Sequence, residues 1–495
     1  MPFIPLDIPA GVYRTGTDLE ASGRWRDANL VRWADGSMRP VGGWSEKWDA
    51  SASVTASPRS MHCWINNNGD TSTAIGTCNE LLYVNASGTA FDITPAGFNT
   101  GNNDAVINTS FGGTFYNSGL YGVKRPAIGE FQEADTWSID NWGEYLVGCC
   151  TSDGKLYEWQ GDSAVVAAQI SGSPTSCAAL VVTEERFIFA LQSGGNPRKV
   201  AWCDREDNTT WTPAINNEAG DIELQTSGEI MCGVRMRGRT LILTNIDAHI
   251  ATYQGAPYVY GFERVGSACG VASRKAAVGI DSGAFWMGKE AFYMFDGSIA
   301  TQINCDVADY VFEQMNKNQI TKVFALHNSE YGEIWWFYPS EDSLECNSYV
   351  AFDYRENHWE IGRIDRSCGF DQGVFDEPIW VDSSGVFYEH ELHNVGHGNS
   401  TPYAETAPIA LGAGDQVMKV ISMIPDEKTQ GDVQAYFKTR FHPNDTERAY
   451  GPYTMANPTS VRFTGRQIRM RIEATSNSDF RVGVMRIDVE AGGGR

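Results

Sequence analysis

The sequence predicts an all-β protein, a β-propeller with an additional β-sandwich or platform domain. Three observations carry this reading. A loose hairpin repeat runs from about residue 51 to 397. The composition is rich in turn formers and strand aromatics, with 51 Gly, 15 Trp, 20 Tyr and 23 Phe in 495 residues. Apolar residues almost nowhere recur at helical spacing.

The chain divides into three segments. Residues 1–50 form an N-terminal segment expected to contribute to the platform or to an interface. Its Trp25, Trp33 and Trp44 suit either a subunit contact or packing within one subunit. Residues 51–397 hold the repeat. Each copy is an apolar run, a short turn of Asp, Ser or Gly, and a second run with a central aromatic. Tyr145–Cys150 is followed by Lys155–Trp159, Ala284–Met287 by Ala291–Phe295, and Pro378–Val381 by Val386–Tyr388. Leu81–Val84 leads to a turn at Ser87-Gly88, Thr240–Thr244 pairs with His249–Tyr253, and Glu333–Tyr338 with Ser348–Tyr354. Longer gaps between copies leave space for an unrecognised unit. Hairpin units of this size, each covering its neighbour's apolar face, describe a propeller with room for six or seven blades. A pair of β-sandwiches or a β-helix remains the alternative, because the copies are imperfect.

One helix is predicted within Cys305–Lys317, where Val307, Tyr310, Val311 and Met315 share a face behind Asp306 as cap. Residues 398–495 lose the repeat punctuation. Gln434–Arg440 and Gln467–Glu473 alternate, the latter with Ile468, Met470 and Ile472 on one face, and Arg481–Glu490 supplies another strand. These are the strands of the C-terminal sandwich-like platform.

Charge separates the same segments. The chain carries 38 Lys+Arg against 62 Asp+Glu, a net charge of −24. Residues 1–50 hold 6 and 7 of these and residues 401–495 hold 12 and 11, so the entire excess lies in the repeat zone. Such acidity argues against gripping nucleic-acid phosphates over a broad surface but not against letting nucleic acid pass. No stretch approaches the length of a membrane-spanning helix. The residues from Met1 to Pro9 lack the basic and apolar regions of a secretory signal. The eleven cysteines are scattered without a Cys-x-x-Cys pair, and all are expected to be reduced and mostly buried.

No chemical motif is convincing. His390, His393 and His397 with Glu391 contain metal-ligand types, but the spacing is not that of a zinc helix, and a solvated turn is the plainer reading. Asp204–Trp211 faintly echoes the Asp-box of sialidase-type propellers, matching only at Thr210-Trp211. A polar turn with Trp211 plugging an inter-blade gap accounts for it better. Arg235, Arg237 and Arg239 alternate along one predicted strand face and could touch phosphate, although a solvated or subunit-facing sheet is the plainer reading. No catalytic, cofactor-binding or metal residue is assigned, and the expectation is that the protein is not an enzyme.

Several phrases in combination resemble a known family. They are Asn29–Gly36 (NLVRWADG) with Arg39–Trp44 (RPVGGW), Arg198–Asp204 (RKVAWCD) leading to Thr210–Pro213, Tyr349–Tyr354 ending at Trp359, and Tyr450–Tyr453 with Thr464–Gln467. They resemble the nozzle or hub proteins of short-tailed bacteriophages, also called tail tubular protein B or packaged-DNA stabilisation proteins. The resemblance implies a propeller, usually six-bladed, on a β-rich platform. It implies a homohexameric ring below the portal and its adaptor, a structural protein of the virion, folded in the host bacterial cytoplasm. The partners implied are further copies of itself, the portal-adaptor or head-to-tail connector protein, tail fibre, spike or needle proteins, and double-stranded DNA conducted through an acidic channel without sequence recognition.

Within that reading the Gly/Asn-rich stretch from Gly97 to Gly122 is a candidate channel gate or, equally, a surface decoration. Asn99, Gly101, Asn102, Asn103, Gly112 and Gly113 are its marker residues. Two other classes compete: a glycan-acting, sialidase-like propeller hydrolase, and a monomeric propeller interaction scaffold.

Overall fold

The computed structural model describes residues 3–107, 131–411, 416–428 and 430–492. Seven four-stranded antiparallel sheets follow one another as propeller blades. Their innermost strands are Ser60–Ile65, Trp137–Trp142, Ala179–Val182, Ile230–Met236, Ala277–Ile280, Phe324–Asn328 and Cys368–Phe370. Each contacts the next, and the seventh returns to the first, which closes the ring. Of the six or seven blades that the repeat zone could hold, seven form; the six usual in the resembled family do not apply to this chain.

The predicted repeat is the central hairpin of a blade. Glu333–Tyr338 shows why its aromatics recur. The strand is buried along its whole length, and successive side chains leave opposite faces. Trp335 therefore packs against Trp380 of the seventh blade at 5.2 Å between ring centres, while Trp336 packs against Phe292 of the fifth at 4.9 Å. The adjacent Cys149 and Cys150 divide in the same way. Cys149 joins the apolar cluster shared with the third blade and Cys150 the one shared with the first, and all eleven cysteines are unpaired.

The gap after Trp159 conceals the third blade, whose central hairpin is Ile188–Leu191 with Lys199–Trp202. Its neighbouring turn reads Thr183-Glu184-Glu185-Arg186 and lacks the Gly, Asp and Ser of the other copies. Arg186 takes the left-handed conformation (φ 67°) that glycine supplies elsewhere.

The seventh blade is completed by the N-terminal strand Gly43–Asp49, which pairs antiparallel with Val386–Leu392. A segment boundary at residue 50 thus cuts through this blade, and the N-terminal segment serves both parts of the molecule. Its other strands build the platform. Ile4–Leu6 lies in a sheet with Met485–Ala491, Met418–Ile424 and Thr459–Gly465. Trp25–Asn29 lies in a second sheet with Tyr403–Thr406, Gln467–Ala474, Val433–Arg440 and Arg448–Thr454. Phe437 and Phe463 meet between the two sheets at 4.9 Å, so the platform is a sandwich.

Platform and propeller are locked together through the hairpin Val31–Ala34/Ser37–Pro40. Fully buried Arg32 donates forked hydrogen bonds to Glu333 of the sixth blade (2.8 and 2.9 Å) and to Glu391 of the seventh (2.7 Å each). Burial, with Glu360 and Glu391 nearby, raises the Glu333 carboxyl above the ordinary carboxylate range against the pull of Arg32. Removing one member of such a buried set leaves uncompensated charge, so the set holds the two parts in one arrangement. Trp25 and Trp33 are buried here, 5.7 Å apart, and pack within the subunit.

The predicted helix forms as Ala308–Gln314, but Asp306 does not cap it. Its carboxylate pairs with Arg24 at 3.1 Å, and its carbonyl accepts from the N–H groups of Arg14 and Thr15, tying the N-terminal segment to the fifth blade's exit.

Candidate functional site at the propeller axis

In a propeller the innermost strands run side by side around the axis, so residues at their two ends converge on two mouths. The seven strand starts carry Arg59 and, just before the sixth, Lys322. Both are buried, with side chains 3% and 0% exposed. Arg59 donates to both oxygens of Glu345, and Lys322 donates to Glu345 (3.1 Å), to Asp104 and to the Leu344 carbonyl (2.7 Å). Burial alone would raise the Glu345 carboxyl; Arg59 and Lys322 outweigh it and hold the group below its ordinary range.

The first half of the candidate gate segment lies over this mouth. The Asn99 amide donates to Asp153 (3.0 Å), the Gly101 N–H to the Cys78 carbonyl (2.8 Å) and the Asn102 N–H to Asp135 (2.8 Å). A Cβ at Gly101 would stand 2.5 Å from the Asp135 carboxylate, so glycine is what allows this approach. The Asn103 carbonyl accepts from Arg59 (3.0 Å), and Ala105 exchanges two hydrogen bonds of 2.9 Å with the Gln319 amide. Residues 99–105 are thereby fastened across blades one, two and six. Gly112 and Gly113 lie outside the described residues.

The opposite mouth is open. A funnel of about 750 Å³ is lined by the strand ends of blades three to seven, including Glu184, Arg235, Asp281, His327 and Asp371. Asp371 lies 3.2 Å from His327 Nδ1, and the other ring nitrogen, Nε2, lies 3.1 Å from the Tyr354 hydroxyl. Asp371 also accepts from the N–H groups of Ser329 and Gln372, which fixes the carboxylate, and the Gln372 amide donates to Ser329 Oγ (3.1 Å). An acid, an imidazole and a phenol in series can orient the phenol and pass a proton along the row.

Arg235 reaches in from the fourth blade. Its nearest acid is Asp140 at 3.7 Å, and it makes one long hydrogen bond of 3.5 Å to the Val182 carbonyl. Between the two mouths stands Lys275, which interacts electrostatically with Cys232, Cys368 and Asp140, residues of three different innermost strands. Only a position near the axis faces all three. Its Nζ has no hydrogen bond among the described residues, and burial draws the ammonium down to about 8.

The arginine run does not share one strand face as expected. Met236 pairs with Arg239 across a hairpin whose turn is Arg237-Gly238, so Arg235 enters the funnel, Arg237 stands on its rim, and Arg239 donates to the Gly297 carbonyl (2.8 Å). The histidines of 390–397 do not converge, and they do not form a solvated turn. His390 is buried, stacked on Trp380 at 3.9 Å between centres and accepting from Arg366 (2.9 Å); burial, Arg366 and His397 hold its pKa well below the ordinary value. His397 is buried against the Val41 carbonyl (2.7 Å), and His393 is exposed. Trp44 packs on both buried rings within the subunit. Asp204–Trp211 is the expected polar turn: Asp207 accepts from Thr209 and Thr210, and Trp211 packs on the cluster between blades two and three.

Sequence reasoning missed His327, Tyr354 and Asp371 because they come from separate strand ends and form no local motif. The available signal was positional, a polar residue closing an apolar inner strand, as His327 closes Phe324-Ala325-Leu326.

No family model and no curated protein matches the chain. Among solved structures it is similar to virginiamycin B lyase from Staphylococcus aureus, at 8% identity over 70% of this chain and 99% of that one, with a TM-score of 0.43. A streptogramin B lyase gives 7% identity, 70% and 97% coverage and 0.42. PorZ of the type-IX secretion system of Porphyromonas gingivalis gives 8%, 76% and 44%, and 0.36. Likenesses this remote concern the fold alone. The expectation of a non-enzyme does not stand beside the lyases among these neighbours, and no activity passes from them to this chain.

Proposed function

We propose that the protein is a propeller scaffold, and that the assembly it serves is the tail nozzle of a short-tailed bacteriophage. The observation that supports the scaffold most directly is the junction of its two parts. The N-terminal segment is woven through the platform and the seventh blade, and Arg32 bonds blades six and seven at once. A body joined in this way transmits position rather than flexing, as a subunit holding partners in fixed register must.

The nozzle reading draws on the phrases at Asn29–Trp44 and elsewhere and on the charge distribution, near neutral in the segments that build most of the platform and strongly acidic in the propeller. In a ring of six copies with propeller acids toward the bore, DNA would be repelled from the wall and slide, while the near-neutral platforms would meet one another and the portal adaptor. Fibre, spike or needle proteins would then attach further down.

Light scattering at high protein concentration, alone and mixed with a portal-adaptor ring, tests both levels. A particle near six times 54.5 kDa in either condition supports the nozzle. A species of 54.5 kDa in both, with no adaptor bound, overturns it and leaves the monomeric scaffold.

A further inference from the structure

The funnel at the open mouth is neither part of the platform junction nor needed by a ring of subunits, and its chemistry is specific. Two cations line it, Arg237 on the rim and Arg235 on the wall. Arg237 makes no ion pair or hydrogen bond among the described residues, and Arg235 has only the acid at 3.7 Å.

Three acids share the space, and two of them are occupied. Asp371 is held by His327 and two backbone N–H groups, and Glu184 accepts from the Gly238 N–H. Asp281, on the exposed rim, makes no ion pair or hydrogen bond among the described residues. An entering anion therefore meets two guanidinium groups that have no acid closer than 3.7 Å among the described residues. Tyr354, Ser282, Ser329 and Gln372 bring groups that both donate and accept to a lining that also holds the apolar Met236 and Ile280. Groups that donate and accept at once match hydroxyls, and a wide polar cavity does not suit an apolar ligand.

We propose that the axial funnel binds a small hydroxyl-rich acid of the uronic-acid class, its carboxylate taken by Arg235 and Arg237 and its hydroxyls by Tyr354, Ser329 and Gln372. Guanidinium groups suit this task because their planar donors match a carboxylate. The row from Asp371 through His327 to Tyr354 holds the phenol in place, so His327 acts as a positioning residue. The assignment is independent of the scaffold reading and holds for a monomer or a ring.

Titration calorimetry and ligand-observed NMR of the full chain with glucuronate, galacturonate, glucose and inorganic phosphate test it. Glucuronate or galacturonate should bind saturably, and glucose at least about tenfold more weakly. Arg235→Gln and Arg237→Gln should each weaken uronate binding about tenfold or more. Arg237 is exposed at a hairpin turn, so that variant keeps the fold even if Arg235→Gln does not. Tyr354→Phe should weaken binding several-fold, and His327→Gln should do so with a changed pH profile. Absence of saturable uronate binding, or binding indifferent to Arg237→Gln, overturns the site. Phosphate binding as tightly as the uronates in competition with them overturns the ligand class.

Discussion

The two mouths of the propeller axis are built from the same residue types and are used differently. At one, Arg59 and Lys322 are buried, share Glu345, and are roofed by residues 99–105 of the same chain. At the other, Arg235 and Arg237 line an open funnel, Arg235 with its ion-pair partner Asp140 at 3.7 Å and Arg237 with none among the described residues. Charge by itself does not distinguish a structural cluster from a ligand site. Pairing does: where the cations share an acid inside the chain, as Arg59 and Lys322 share Glu345, the cluster holds the fold, and where they face open space, they are available to something else.

The largest expected effect is at the closed mouth. Arg59→Ala removes both bonds to Glu345 and the bond to the Asn103 carbonyl, leaving a half-buried carboxylate beside Lys322 alone. The loss should be about 3 kcal/mol in urea unfolding, with faster hydrogen exchange across residues 99–105. A loss under about 1 kcal/mol would erase the distinction between the mouths. Acid should act in the same place. Glu345 has a lowered folded pKa, so its contribution is present above the unfolded value near 4.5 and is lost as pH falls through the folded one. Exchange protection of 99–105 should accordingly fall below about pH 4, before global unfolding.

Much of this architecture is legible in the sequence because a propeller repeats one local rule. The aromatic at the centre of each hairpin is read from period-two alternation, and its burial between blades follows. The third blade escapes because Arg186 does with a left-handed backbone what Gly or Asp does in the other turns. The blade-closing role of Gly43–Asp49 escapes because its partner lies some 340 residues away, at Val386–Leu392, and no local pattern encodes such a pairing. The axial site was hidden for the same reason. Arg235 could be singled out as basic, but its neighbours His327 and Asp371 become neighbours only when the ring closes. The histidines of 390–397 misled in the opposite sense, since proximity in sequence placed His390 and His397 in the core and His393 in solvent.

Lys275 should give the next largest effect, with the opposite sign. Its folded pKa is lowered to about 8 from 10.5, burial being the leading cause. The neutral amine is the form the fold prefers, so its contribution is complete above the unfolded value and is lost as pH falls through 8. At pH 7 the wild type therefore bears an unpaired ammonium, and Lys275→Met should stabilise by about 1–3 kcal/mol. Thermal unfolding should show this gain at pH 7 and little of it at pH 10. A gain of equal size at both would mean improved packing rather than relief of charge.

The smallest expected effect separates the mouths most sharply. Arg237 has no partner within the described chain, so Arg237→Gln should leave stability within about 0.5 kcal/mol of wild type, whereas Arg59→Ala costs several times that. If the open mouth is a ligand site, the ranking reverses in the presence of a uronate. Ligand added at 100 times its dissociation constant should stabilise the wild type by about 2.7 kcal/mol. A variant binding tenfold more weakly should gain correspondingly less, a difference of about 1.4 kcal/mol. Arg59→Ala lies at the other mouth and should keep its full ligand-dependent gain on a lower baseline. The pair of variants thus makes a crossed experiment, one losing baseline stability and keeping the ligand response, the other keeping the baseline and losing the response. Parallel behaviour of the two would mean that the axis acts as one unit and that the contrast between its ends has no energetic content.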